Sequence, residues 1–148
     1  MQMRNSLFLI FVLALATACG GGNPEPATPA SQAPGPALVV ERFLQAANAN
    51  DLGTMTDLFG TRDRTIAELD GRQQAEERMY VLASLLRHED WEIQGQRTVP
   101  GRTLDATELM VRLQKENSAP VVPFLVVRRS DGGWIIERID VEPLTTTG

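Results

Sequence analysis

Three residues that could do chemistry occur once each in this 148-residue chain: His88, Tyr80 and Cys19. A histidine held beside a carboxylate suits proton transfer near neutral pH, and a tyrosine can act as an acid or orient a substrate oxygen. The carboxylates placed to project from strands into a cavity with them are Asp105, Glu108 and Asp140. Metal chemistry has less to work with, since one His and one Cys with no Asp-x-Asp-x-Asp-Gly loop form no recognisable site. The chain also lacks a Gly-x-Ser-x-Gly elbow, a phosphate loop and a dinucleotide fingerprint, so no cofactor is expected.

The elements that must position these residues follow from hydrophobic periodicity. Ala37 to Asn50 sets Val40, Phe43, Leu44 and Ala47 at helical spacing after Pro36. Asp51 is placed to cap a second, shorter helix reaching Leu58 and Phe59, with Gly60 ending it. Thr61 to Leu69 alternates weakly and reads as a short strand or an irregular crossing. Asp70-Gly71 then opens a third helix, Arg72 to about Arg87, whose apolar stripe is Ala75, Met79, Leu82 and Leu86. Beyond His88 the period becomes two, giving strands at Trp91 to Val99, Thr103 to Lys115, Val121 to Arg129 and Trp134 to Val141. Asp131-Gly132-Gly133 marks a hairpin, and Gly95 and Pro123 inside strands suggest bulges.

This placement weighs against catalysis. His88 falls at the end of the third helix, off its stripe, where with Arg87 it can sit against the negative end of the helix dipole; we read it as a solvated helix-end residue, a catalytic base being the alternative. Tyr80 lies away from the stripe and reads as an amphipathic residue at a rim. Asp105, Glu108 and Asp140 read as members of a solvated face.

The amino end carries an address. Met1 to Ser6 with Arg4, an apolar run from Leu7 to Ala16 and small residues before Cys19 have the order of a secretory signal. The run has about half of the roughly 20 residues that a membrane-spanning helix needs. Leu15-Ala16-Thr17-Ala18-Cys19 resembles the bacterial lipobox, whose cysteine is alkylated by diacylglycerol before the signal is cleaved. Ala16-Thr17-Ala18 also suits ordinary signal peptidase, which would release a free secreted protein. The position of the sole Cys at the cut favours lipidation, and two acyl chains give stable anchoring. By the same resemblance, Gly20 in place of Asp implies the outer membrane of a two-membrane bacterium, at its periplasmic face.

Residues 1–18 are thus expected to be a lipoprotein signal, 19–36 a lipidated Cys and Pro/Gly-rich tether, 37–143 a folded domain and 144–148 a tail. With Arg4 removed, 13 Lys or Arg face 19 Asp or Glu. That acidity argues against nucleic acid and against polybasic attachment to lipid, leaving the lipid as the anchor.

Helices followed by a long antiparallel sheet resemble the nuclear-transport-factor-2-like (NTF2-like) superfamily, which includes the SnoaL-like proteins and ketosteroid isomerases. The resemblance rests on Arg42-Phe43-Leu44-Gln45-Ala46-Ala47-Asn48-Ala49-Asn50-Asp51-Leu52, on Asp70-Gly71-Arg72, and on Trp134-Ile135-Ile136 with Ile139-Asp140. It implies an α+β cone, three N-terminal helices packed on a curved antiparallel sheet of four main strands, with an open end suited to a small apolar ligand. Ketosteroid isomerases place a tyrosine on the first helix, where this chain has Phe43.

Family members often dimerise through the outer sheet face. The third and fourth strands are apolar on both faces, so Phe124, Val126, Trp134 and Ile136 are candidate interface residues for a homodimer or an envelope partner. The sequence thus favours a noncatalytic, membrane-tethered module that binds a partner protein or small apolar ligand. The alternative is a pocket isomerase, dehydratase or hydrolase using His88, Tyr80 or a strand Asp.

Overall fold

The computed structural model describes residues 35–102 and 105–146. The expected signal, Cys19 and the expected tether as far as Pro34 lie outside the described residues.

Helix α1 (Pro36–Ala49) starts on a proline, which has no amide hydrogen to leave unpaired in the first turn. It buries Val39, Val40, Phe43, Leu44, Ala46 and Ala47. Asn50 ends it in the left-handed conformation (φ 55°), and the amides of Asn50 and Asp51 return to the carbonyls of Ala47 and Ala46. The Asp51 carboxylate then caps α2 (Leu52–Leu58), accepting from Thr54 N at 3.1 Å and Thr54 Oγ1 at 2.7 Å.

The next stretch departs from expectation. Instead of a strand or irregular crossing throughout, it contains a five-residue helix, α3 (Ile66–Asp70). Its start is a capping box: Glu68 Oε2 accepts from Thr65 N at 2.7 Å while Thr65 Oγ1 accepts from Glu68 N at 3.4 Å. Four helices therefore precede the sheet, not three. In α4 (Arg72–Leu86) the buried residues are Ala75, Met79, Ala83 and Leu86. Leu82 is only half-buried, so the inward stripe is rotated slightly toward Ala83.

Strands β1 (Asp90–Thr98), β2 (Ala106–Gln114), β3 (Val121–Arg128) and β4 (Trp134–Ile139) form one antiparallel meander in that order. The expected bulge at Gly95 is present: the β1 register slips between Ile93 and Gly95, leaving Gln94 unopposed. The second bulge is not at Pro123. It lies in β4, where Val126 pairs with Ile136 and Leu125 with Arg138, leaving Glu137 as the extra residue. Pro123 stays in register opposite Met110. Leu113 N donates to Pro120 O and Arg128 N to Asp105 O, so hydrogen-bonded rungs fall on alternate pairs and the Pro123 pair is not one of them. No donor toward β2 is lost there.

The crossing between α2 and α3 covers the free edge of β4. Phe59 bridges Ile136 in parallel, Gly60 N donates to Ile136 O at 2.9 Å, and Ile66 N donates to Phe59 O at 2.7 Å.

The two faces of the sheet bury different residues. Leu109, Val111, Leu113, Val122, Phe124, Val126 and Ile136 join the helices in the main core. Phe43 and Phe59 pack there with ring centroids 6.1 Å apart. On the opposite face Ala106, Leu125, Val127 and Ile135 form a second cluster flanked by Val99.

This overturns the assignment of Phe124, Val126, Trp134 and Ile136 to an outer interface. Phe124, Val126 and Ile136 are fully buried on the helix side, and Trp134 is half-buried against the same core with the Arg128 guanidinium 5.4 Å from its ring centroid. The outer apolar residues are covered as well. Glu108, Leu125 and Arg138 share one rung, and the Arg138–Glu108 ion pair (3.9 Å) spans Leu125 between them. Arg97 meets Glu108 from β1 at 2.5 Å, and Arg102 meets Glu137 at 2.6 Å. These ion pairs set charge beside the apolar strip.

Ordered structure runs past Pro143 into what the sequence assigns to a tail. Helix α5 (Glu142–Thr145) brings Leu144 against the main core.

Two expected outcomes follow from this framework. A Cβ on Gly60 meets Arg64 O at 2.3 Å and Thr65 Cα at 2.7 Å, whereas one on Gly95 meets nothing within 4 Å. Urea unfolding of Gly60→Ala is expected to show a loss of about 2 kcal/mol, and of Gly95→Ala less than about 1 kcal/mol. The second concerns acid. The Thr54 hydroxyl and amide hold the Asp51 carboxyl below its usual range, and the Thr65 amide and hydroxyl do the same for Glu68. Because the folded values are depressed, the caps contribute stability above the ordinary carboxylate range and lose it as pH falls through the lowered values. Thermal midpoints of Asp51→Asn and Glu68→Gln across that acid range should fall less steeply than those of the parent.

Candidate functional site

The residues with chemical potential are dispersed over the domain, and most are engaged in holding it together. His88 follows α4 and is half-buried. Its Nδ1 lies 2.8 Å from Leu86 O, so this nitrogen carries the hydrogen and donates to the helix C-terminus. Its Nε2 lies 3.2 Å from Asn48 Nδ2 and accepts. Asn48 also donates to His88 O at 3.0 Å and accepts from His88 N at 3.2 Å. One asparagine near the end of α1 thereby clasps both backbone and ring of a residue just beyond the end of α4.

Lys115 completes this corner by donating from Nζ to Leu85 O at 2.6 Å. Burial pushes its pKa down, while the adjoining carbonyls at the negative end of α4 suit a cation. His88 and Lys115, with Arg87, Glu89 and Glu116, line a concavity of about 440 Å³. The imidazole has both nitrogens committed to protein partners and presents neither as a free base.

The carboxylates are elsewhere. Asp105 pairs with Arg62 at 3.5 Å just before β2. Glu108 is held between Arg97 and Arg138 on the outer sheet face. Asp140 is exposed, accepting from Glu142 N at 3.1 Å and so shaping the turn into α5. Asp105, Asp140, His88 and Tyr80 thus occupy four separate places instead of converging on one cavity. Space for an interior ligand is taken by Phe43, Leu44, Met55, Phe124 and Leu113, each without measurable exposure.

Tyr80 is 57 % exposed and stands on the outward face of α4 beside Val81, 60 % exposed. With Leu69 at 39 %, they are the exposed large apolar side chains of the described residues. A concavity of about 390 Å³ lies next to Tyr80, lined also by Leu52, Gln73, Glu76 and Glu77 between α2 and α4. The best candidate site is therefore this helical surface, an aromatic and an aliphatic side chain beside carboxylates, which is binding chemistry. Val81 was legible as an apolar residue off the α4 stripe. Asn48 and Lys115 had no local signal, because each meets its partner across thirty residues or more of chain.

Asn48→Ala removes the shared partner of the His88 ring and amide and is expected to lower unfolding free energy by about 1–2 kcal/mol. Tyr80→Ser should stay within about 0.5 kcal/mol, as fits a side chain that contributes little to folding. Urea titration of the two variants checks the contrast. Comparison of the chain with models of known protein families, with curated proteins and with solved structures returned no match.

Proposed function

We propose that this chain is a noncatalytic, membrane-tethered lipoprotein of the bacterial cell envelope whose folded domain docks a partner protein. The single observation that carries the docking role is that, among the described residues, the exposed large apolar side chains lie on α3 and α4, while the apolar clusters on both faces of the sheet are buried. The tether belongs to the same reading through the signal pattern and the position of Cys19.

Within this proposal the domain is an NTF2-like cone whose interior is packed with side chains. Helices leading into a four-stranded antiparallel meander, with a bulge beside Gly95, support that assignment. The filled interior favours a protein partner over a small apolar ligand, and the separation of His88, Tyr80, Asp105 and Asp140 favours binding over pocket catalysis. Charge excludes a different class of partner, since the acidic balance disfavours nucleic acid.

The expected result in living bacteria is incorporation of radiolabelled palmitate into the parent chain and its recovery with membranes. Cys19→Ser should lose the label and leave the membrane fraction. Absence of label from the parent, with both forms fractionating alike, would falsify the tethering half of the proposal.

A further inference from the structure

The outward face of α4 and the Arg87 that caps it carry, in order, a carboxylate, an apolar pair and a guanidinium. Gln73, Glu77, Tyr80, Val81, Ser84 and Arg87 are all exposed, and at 3.6 residues per turn they fall within a sector about 120° wide. Neither charge at the ends of this strip is spoken for by an opposite charge. Glu77 accepts only from Gln73 on its own helix, at 3.4 Å, whereas its neighbour Glu76 is taken by Arg72. Arg87 makes no hydrogen bond or ion pair among the described residues. Ser84 turns its hydroxyl back to Tyr80 O at 3.0 Å, so covering it leaves no unmatched donor.

A strip with opposite charges at its two ends is complementary to itself when turned end for end. We infer that α4 is the contact between two copies of this chain, packed antiparallel about a two-fold axis near Leu82. In that arrangement Glu77 of each copy meets Arg87 of the other, since both lie five residues from the axis. Tyr80 of each lies against Ser84 of the other, a small residue that lets two helices approach to about 8–10 Å. The concavity of about 390 Å³ beside Glu77 and Tyr80 gives the incoming guanidinium a seat with a carboxylate and an aromatic face. One self-complementary patch used twice is what a closed dimer requires.

The contact is small. Fifteen residues of helix give a strip about 22 Å long and about 10 Å wide, roughly 200 Å² in plan, short of the roughly 800 Å² per partner of a standard interface. The dimer is accordingly weak in free solution and strong where chains are confined to one surface. For that strength, though not for its geometry, the inference rests on the proposed membrane tether, and it names the docked partner as a second copy.

The test uses the full chain in bacteria, with Tyr80 replaced by the photoreactive aromatic p-benzoylphenylalanine. Illumination should give a product of twice the chain's mass. Glu77→Arg and Arg87→Glu should each lower its yield by about tenfold, and the double variant E77R/R87E should restore it by exchanging the charges. Restoration also shows that neither single change acted by unfolding the domain. No product of double mass, or one indifferent to the charge reversals, overturns the inference. So does a double-mass product formed only when the probe replaces Arg112 on the outer sheet face. A product of some other mass overturns the second copy as occupant while leaving the docking role of α4 in place. Adding Cys19→Ser separates the two proposals: a double-mass product that persists at undiminished yield removes the dependence on the tether but not the helix geometry.

Discussion

The apolar face of α1 laid across the inner surface of the sheet is the interaction on which the rest of the molecule depends. Phe43 and Leu44 have no solvent exposure, and the sheet residues opposite them include Phe124, Val126 and Ile136, equally buried. Burying each such side chain contributes about 1.5–3 kcal/mol. A four-stranded meander with only one face covered cannot satisfy this much apolar surface, and a layer of helices supplies the second half of the core. The end of α1 then sets the corner from which the other helices depart: Asn50 turns the chain, Asp51 caps α2 and Asn48 reaches across to the end of α4.

The outer sheet face shows how charge can finish an apolar surface. Leu125, Val127, Ile135 and Ala106 would form an adhesive strip if the neighbouring side chains were short. Instead Glu108, at 14 % side-chain exposure, pairs with arginines from β1 and β4, which sets charge beside the strip. Exposed ion pairs of this kind add little to stability. Their effect here is to put charge beside the apolar strip of the sheet, whereas the large apolar side chains left exposed among the described residues lie on α3 and α4.

The corner at the end of α4 illustrates why a lone histidine is weak grounds for catalysis. An imidazole and a lysine converge on the last carbonyls of α4, which have no partners within the helix, and an asparagine takes the carbonyl of His88 just beyond it. Groups that resemble an acid–base cluster when read as residue types are here satisfying backbone oxygen atoms. Tyr80 is placed oppositely, with more than half of its surface exposed on the outward face of α4.

Much of this architecture is written in local pattern. The α1 and α4 periodicities, the Asp51 cap, the period-two strands and the Gly95 bulge are legible because each depends on residues a few positions apart. The short α3 was hidden, since five residues are too few for a period and its capping box was masked by weak alternation. Likewise the proposal of a signal ending at Cys19 rests on the sequence alone, because the pattern that suggests export is a run of contiguous residues. Only tertiary structure decided which face of β3 and β4 looks inward, for both are apolar and a strand's alternation cannot say which side the helices will cover. It decided the second bulge at Glu137, the arginine cover over Leu125 and the clasp of His88 by Asn48 in the same way. Those contacts join residues far apart in the chain, and their energies exist only once the fold has brought the partners within a few ångströms.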